Sequence, residues 1–472
     1  MNIGAIFKNL KNKGIKGTYA IYKSRHKSEV VKNIEVIQKR LDLIEKELTF
    51  RQIETEIDYL LKIIDNVSCP EIYRSICNTI KEKERKVGYK TYLKRKYVKQ
   101  VLPTVYNIYK ALPIENKMIF MQPRKGLNPS CKYMYDYIAS DGTYEPVLFE
   151  LERDDVPVTL YYKNAVEWVK SLATAKACFV HESNDLMGYL DIREETKIVQ
   201  LWHGCGVLKK IGLSTADMSN FKSSSAYEEF PEYNKYDIVT IASPELSWVF
   251  EEFMGINKDD NIIQATGVSR TDEFFDEQYI TRCYDKIHEI IPESENKKII
   301  LYAPTYRGVG QERVAPDELN IEKFADALGD EYILIIKHHQ TAKNLPEIPD
   351  KYKDKFAFDM TRGKGMNINE LMTVSDICIS DYSSLVFEFA LFERPIMFFA
   401  YDLEDYIDDR GLYYDFDEIT PGPICRTTEE MIDYIKNIDK AFDKQEVVDF
   451  KNKFMSSCDG RSTDRIFEFA KS

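Results

Sequence analysis

The 472-residue sequence is short of several things. No run approaches the roughly 20 apolar residues that span a bilayer, which excludes an ordinary transmembrane helix. The opening residues lack a continuous apolar core, so no secretory leader is expected. The nine cysteines stand singly, with no CxxC pair among them. That argues against a zinc site or a disulfide framework and for free thiols in a reducing compartment. Positive charge is in deficit: 65 Lys and Arg face 78 Asp and Glu, a formal net charge of −13. A general nucleic-acid binder is excluded on that ground. There is no GxxxxGK(S/T), no HExxH and no EF-hand loop. The acidic pairs Asp259-Asp260 and Asp408-Asp409 read as loops. No metal site and no cofactor are therefore expected. Histidine is scarce as well, six in the chain, so the setting of each one carries weight.

What is present suits two or three globular domains: 44% of residues are hydrophobic over a length too great for one ordinary domain. Charge is unevenly spread. Residues 1–28 carry seven Lys or Arg and no acid, interleaved with Ile6, Phe7, Leu10, Ile15, Tyr19, Ile21 and Tyr22. Lys81–Lys99 is basic again. Such segments suit an anionic membrane surface and equally a solvated arm packed on its own protein. Val30, Ile34, Ile37, Leu41, Ile44 and Leu48 follow heptad spacing, resumed at Ile57, Leu60 and Ile64. This predicts a long helix or helical hairpin over 28–66, able to pair with a second copy or, by default, to pack on the chain's own body.

From about residue 117 short apolar runs alternate with helical patterns. One series is MIFMQ, PVLFEL, CFVHES, KIVQLW, YDIVTIAS and NIIQATG. After a charged helical stretch comes a second: KIILYAP, YILIIKHH, FAFDM, DICISDYSS and PIMFFAYD. Continuous apolar strands separated by helices mean parallel sheets covered on both faces. The expected class is α/β: two Rossmann-like doubly wound domains, 111–275 and 276–472, behind a helical region 1–110, with the last helix able to cross back. The crevice between the domains, at the strands' carboxyl ends, is the natural ligand site.

The stretch QLWHGCGVLKKIG follows a strand. It places His203 where α/β folds bind ligands, beside Gly204 and Gly206, which permit close backbone approach, and near the cations Lys209 and Lys210. Alone, it reads first as a histidine satisfying a turn carbonyl. DICISDYSSLVFEFALFERP supplies context. Asp381 to Ser384 form the turn after a strand. Ser383 and Ser384 sit at a helix start that attracts phosphate. Glu388 lies one turn on, an acid in an apolar helix; capping alone explains the serines but not this acid. YILIIKHHQ ends a further strand with Lys337, His338 and His339, and strand alternation gives Lys337 and His339 a common face. In LYAPTYRG, Arg307 is placed for a bidentate fork onto phosphate.

Taken in order, QLWHGCGVLKKIG, ATGVSRTDEFF, ILYAPTYRG, IIKHHQ, SDICISDYSSLVFEFALFERPIMFFAYDLEDY, RGLYYDF with PGPI, and DGRSTDRI resemble the CDP-glycerol glycerophosphotransferase family of teichoic acid polymerases and primases. The likeness runs from about 175 to 470 and implies a GT-B architecture. The C-terminal domain would hold a CDP-glycerol or CDP-ribitol donor, and the preceding domain would receive a lipid-linked polymer acceptor. His203 and His339 match the family's catalytic histidines. Arg307, Ser383 and Ser384 match positions near the donor phosphates, with Lys337 and Asp381 beside them. Glu388 stands where related GT-B enzymes keep a ribose-binding acid. Gly204, Lys209 and Lys210 fall on the acceptor side. Two departures are Lys337-His338-His339, where Arg-x-His is usual, and Cys205, where a small Thr or Ala is expected. The implied reaction releases CMP at the cytoplasmic face of a membrane, the protein bound peripherally. The alternatives are a GT-B glycosyltransferase using a nucleotide sugar and a non-catalytic nucleotide-binding scaffold. Glycerol or ribitol, primase or polymerase, and wall polymer or capsule stay open.

Overall fold

The computed structural model describes residues 50–472 apart from 66, 68, 86–87, 154–155, 219–220, 309–312, 340 and 363–364. The basic segment 1–28 and the heptad positions Val30 to Leu48 lie outside the described residues. Among those described, two six-stranded sheets account for the strands, and every pairing is parallel. The first holds β1 (Lys117–Gln122), β2 (Glu145–Glu150), β3 (Ala177–Val180), β4 (Lys197–Gln200), β5 (Ile238–Thr240) and β6 (Ile263–Gln264), in the order β2-β1-β3-β4-β5-β6. The second holds β7 (Lys298–Tyr302), β8 (Tyr332–Ile336), β9 (Ala357–Asp359), β10 (Ile377–Ser380), β11 (Ile396–Phe399) and β12 (Ile424–Cys425), in the order β12-β11-β10-β7-β8-β9. This is the two-domain α/β architecture expected from the alternating pattern. Ile299–Tyr302 and Ile377–Ser380 are buried throughout, since helices cover both faces and leave no polar side for alternation to mark. Strand order reverses between β7 and β10, and the loops leaving their carboxyl ends border a crevice there.

Helices Phe50–Ile64, Pro70–Glu84, Tyr89–Lys96 and Leu102–Tyr109 pack beside the first sheet. Ile57, Leu60 and Ile64 are buried in the same core as Trp168. This end of the heptad pattern thus serves the chain's own body. Glu84 supplies the cap that Pro157 cannot offer to helix Val158–Leu172: its carboxylate accepts from Val158 N (2.7 Å), Thr159 N (3.0 Å) and Thr159 Oγ1 (2.8 Å). Within the basic stretch 81–99, the cations at 94–99 are engaged by the protein itself. Arg95 Nε (2.6 Å) and Lys99 Nζ (3.2 Å) share Glu229. Lys94 pairs with Asp185 and Lys96 with Glu54. The chain's own acids neutralise those cations, and the two bases hold the Glu229 carboxyl down at about 2. No described helix is long and apolar enough to cross a membrane.

The last helix, Ser462–Lys471, returns to the first sheet. Ile466, Phe467 and Ala470 join Met118, Phe120, Phe179 and Val199 in one core. Asp272 caps it, accepting from Ser462 N (3.0 Å) and Thr463 N (2.7 Å). At Gly267 (φ +81°) a Cβ would stand 2.2 Å from Ser462 Oγ, so this approach requires glycine. ATGVSRTD and DGRST, far apart in sequence, form one joint.

Candidate active site between the lobes

Two residues beyond β4, Trp202 adopts φ 56°. This left-handed conformation costs an L-residue roughly 1–2 kcal/mol. Its surroundings enforce it: Trp202 N donates to Gln200 Oε1 (3.0 Å), and the indole packs on Phe250 (5.7 Å) and Phe253 (5.2 Å). The turn projects His203 toward the cleft. His203 keeps an exposed face, although protein crowds it from the other sides. His203 Nδ1 lies 3.1 Å from the His181 carbonyl. A carbonyl only accepts, so Nδ1 carries the proton and the neutral ring presents a lone pair at Nε2. Partial desolvation lowers the imidazole's pKa below its ordinary 6.5, reinforced by Arg270 and Arg124 and opposed by the His181 carbonyl and Glu182. The ring is therefore neutral near pH 7. His181 itself is buried and held at about 3, mainly by that burial.

His339 comes from the opposite lobe, three residues past β8. The sequence pattern carries the strand through residue 339, whereas the structure ends it at Ile336, so strand alternation does not govern Lys337–His339. His338 turns inward and is buried. Lys337 Nζ donates to the carbonyls of Met360 (2.6 Å) and Met366 (3.2 Å), and burial lowers its pKa. His339 is exposed. Its Nδ1 accepts from Thr341 N (3.2 Å) and lies 2.8 Å from Thr341 Oγ1. An Nδ1 that accepts from an amide leaves the proton on Nε2. The two histidines thus present opposite faces, a lone pair on His203 and an N–H on His339. Burial, then Arg313, Lys209 and Arg124, push the His339 pKa below its usual value. Those cations come from both lobes and converge on the ring.

The WHG loop seats on the second lobe. A Cβ on Gly204 would lie 3.5 Å from Ser384 Oγ, and one on Gly206 would meet the Phe387 ring at 2.4 Å. Cys205 N donates to Glu388 Oε1 (3.2 Å), which also pairs with Arg270 Nη2. Glu388 differs from the open ribose-binding acid expected. It is 0% exposed, because the backbone of the WHG loop and Arg270 cover it. Further along, Lys210 N donates to Gly411 O (3.1 Å), Tyr413 N donates to Leu208 O (2.9 Å), and the Lys209 ammonium sits 5.1 Å from the Tyr406 ring. Lys209 and Lys210, expected on the acceptor side, bridge the lobes.

Arg307 also departs from expectation. Its fork is taken by Asp402 (Nε–Oδ2 2.5 Å, Nη2–Oδ1 3.0 Å), and Nη1 donates to Asp381 Oδ2 (2.9 Å). Asp381 Oδ1 accepts from Thr305 N (2.9 Å) and Tyr382 N (2.6 Å). Arg307 and Asp381 tie the loop after β7 to the loop after β10, leaving neither free for a phosphate in this arrangement. Ser383 and Ser384 stay half-buried at the crevice. The helix they open, Leu385–Phe389, is five residues long, so its dipole is small. Beside these elements, at the carboxyl ends of β8 and β9, lies a cavity of about 640 Å³ lined by Lys286, Lys337, Thr361, Arg362, Met366 and Asn367.

Sequence reasoning quoted Arg270 inside ATGVSRTDEFF and Asp402 inside the motif ending AYDLEDY, neither with a role, and passed over Arg313 and Lys286. Arg270 and Asp402 carried a signal, charged residues within matched motifs. Arg313 and Lys286 meet the site only through the fold.

A family model described as CDP-Glycerol:Poly(glycerophosphate) glycerophosphotransferase matches residues 104–471. The chain is 32% identical over 378 residues to the teichoic acid poly(ribitol-phosphate) polymerase of Bacillus spizizenii, covering 77% of this chain and 57% of that polymerase. It is 28% identical to the teichoic acid ribitol-phosphate primase of the same organism, over 81% of this chain and 98% of the primase. To the teichoic acid glycerol-phosphate primase of Bacillus subtilis it is 30% identical, over 66% and 78%. A solved structure of the wall teichoic acid polymerase TagF superposes with a TM-score of 0.62 at 22% identity, covering 81% of this chain and 97% of that one. That likeness concerns the fold.

Proposed function

The chain belongs to the CDP-glycerol:poly(glycerophosphate) glycerophosphotransferase family, and from this and the cleft we propose that it moves an alditol phosphate from CDP-glycerol or CDP-ribitol to an acceptor hydroxyl, releasing CMP. The observation that carries the reading is the pair of histidines on opposite lobes with opposite ring tautomers. The acceptor is a teichoic-acid-like polymer on a lipid carrier. Its hydroxyl gives its proton to His203 Nε2 as the oxygen attacks the phosphorus bearing the alditol. The bond from that phosphorus to the CMP phosphate oxygen breaks, and the electron pair leaves with CMP. His339 Nε2–H donates to the oxygens on which charge builds, in the field of Arg313, Lys209 and Arg124. The cytidine end takes the cavity beside Lys337 and Lys286, whose volume and polar lining, Glu370 included, suit a nucleoside. Ser383 and Ser384 face the diphosphate. Arg307 and Asp381 hold the two loops that frame it.

Incubation with CDP-glycerol, CDP-ribitol and UDP-sugars in turn, on a defined lipid-linked acceptor, tests this. CMP release with one CDP-alditol and elongation of the acceptor are expected, and product length separates a primase from a polymerase. UDP release from a nucleotide sugar, or no turnover with either CDP-alditol, would refute it.

A lipid-linked acceptor places the reaction at the cytoplasmic membrane face. The attraction comes from residues 1–28, since the cations of 94–99 are engaged within the chain. Each basic residue near an anionic leaflet contributes about 1 kcal/mol. Deleting 1–28 should lower binding to phosphatidylglycerol vesicles; unchanged binding would refute this placement.

A further inference from the structure

Glu388 belongs to the second lobe, yet both polar partners of its side chain, the Cys205 amide and Arg270, come from the first lobe. Its Oε1 accepts from Cys205 N at 3.2 Å and pairs with Arg270. Cys205 is two residues from His203. Neither Glu388 Oε2 nor Arg270 Nε has a protein partner, and both are buried. A carboxylate and a guanidinium withdrawn from water repay their desolvation only through each other and through well-placed hydrogen bonds. Here the one such bond to backbone is the Cys205 N–H.

On its other side the same turn is held by Trp202, whose left-handed backbone persists because Phe250 and Phe253 pin the indole. His203 thus sits between two anchors, an aromatic one within its own lobe and an ionic one from the opposite lobe. A ribose hydroxyl reaches Glu388 only if residues 203–206 or the Arg270 side chain leave, because the side chain has no exposed surface.

We propose that the Glu388–Arg270 pair is a positioning device: through the Cys205 N–H it aligns His203 when the lobes are closed, and it does not bind the donor ribose. Because the pair spans the lobes, alignment of the base is coupled to closure over the substrates. Misplacing a catalytic group by about 1 Å costs on the order of 10²-fold in rate, so the device acts on kcat. This inference rests on the phosphotransfer reading. Wild-type turnover of a CDP-alditol tests that reading, and the ratio of variant to wild type tests the inference.

The experiment compares R270M/E388L with R270M/E388Q. Both remove the two charges together, so no buried charge is stranded. Only the second keeps an oxygen able to accept from Cys205 N–H. Calorimetry with CDP as probe should give a Kd within about twofold of wild type for both. Turnover should fall about 10²-fold in R270M/E388L, and R270M/E388Q should recover about tenfold of that loss. A role confined to stability would lower both variants alike and leave kcat per folded molecule unchanged. A CDP Kd raised about tenfold or more establishes the ribose contact and overturns the proposal. So does a kcat within about threefold of wild type in R270M/E388L, or no recovery in R270M/E388Q. Should either double variant fail to fold, the near-isosteric E388Q is read by the same two measurements: kcat about tenfold down with unchanged CDP affinity supports the device, and the reverse pattern refutes it.

Discussion

Replacing Gly206 with alanine adds one methyl group at the seam between the lobes. Gly206 does not use a left-handed φ, so alanine is acceptable to the backbone and the whole effect is steric. The new Cβ would stand 2.4 to 2.5 Å from three atoms of the Phe387 ring. Ordinary carbon contact begins near 3.5 Å, so something must yield by about 1 Å. The ring is badly placed to do it. Phe387 is 0% exposed and packs on Phe450 at 5.1 Å and Phe454 at 5.5 Å. The WHG loop lifts instead. The Cys205–Glu388 bond, 3.2 Å in the native loop, then stretches past hydrogen-bonding range. Overpacking of this kind costs about 1–3 kcal/mol of stability, which leaves a domain of ordinary stability folded. Displacing His203 by a similar distance should cost on the order of 10²-fold in kcat. The assay is CMP release at saturating CDP-alditol, with CDP affinity measured alongside and urea unfolding as the check on folding. Space restored at the ring should restore the rate, so G206A/F387L should be more active than G206A alone, a coupling that only contacting residues show. A folded G206A with wild-type kcat would refute the reasoning, because it would mean that the loop's seat on Phe387 does not set the position of the histidine.

Three further outcomes are expected. His203→Ala should lower turnover by about 10²–10⁴-fold with CDP affinity intact. In the wild type kcat should rise with pH through a limb below 6.5, since the base form is required and burial depresses this imidazole; a limb above 6.5 contradicts the assignment. His181 is neutral in the fold with a pKa of about 3, against about 6.5 unfolded. Its contribution to stability is therefore complete above 6.5 and lost as pH falls toward 3. Urea unfolding between pH 7 and 4 should show that decline, and His181→Asn should flatten it. Arg307→Ala leaves Asp381, 2% exposed in its side chain, without its cation. A loss of about 3–5 kcal/mol in urea unfolding is expected, and a stability change below 1 kcal/mol would refute the structural role given to that pair.

The strands were legible because a parallel strand covered on both faces must be apolar along its length. KIILYAP and DICISDYSS therefore announce both a strand and the polar turn at its carboxyl end. The same logic located His203, Ser383, Ser384 and Arg307 at strand ends. It did not reveal what they touch. Glu388 reads as an acid free to grip a hydroxyl, because nothing in LVFEFALF announces Arg270, 118 residues earlier, or the Cys205 amide lying over it. Arg307 reads as a phosphate fork because its competing carboxylate, Asp402, arrives from the loop after β11. YILIIKHH was carried three residues too far, through Lys337, His338 and His339, where the chain leaves the sheet and strand alternation lapses. Lys94 to Lys99 read as a free basic patch because Asp185 and Glu229 are distant in sequence. Apart from that strand end, each miss is a partner supplied by a different segment.

That pattern bears on the motifs themselves. WHGCG meets SSLVFE through Gly206–Phe387 and Cys205–Glu388. The lysines that follow meet RGLYY through Lys210–Gly411 and Leu208–Tyr413. GVSRTD meets DGRST through Asp272 and the amides of Ser462 and Thr463. In each pair one member lies among or after the strands of the first sheet and its mate among or after those of the second. A large share of the motif residues thus builds the seam that fixes one lobe against the other. Two lobes that each carry one histidine have no complete site apart, and a histidine pair works only at one separation. Under the proposed mechanism the seam residues are therefore as much a part of the geometry of transfer as the rings. Substitutions along the seam should lower kcat before they lower donor affinity, whereas substitutions lining the cavity beside Lys337 should do the opposite.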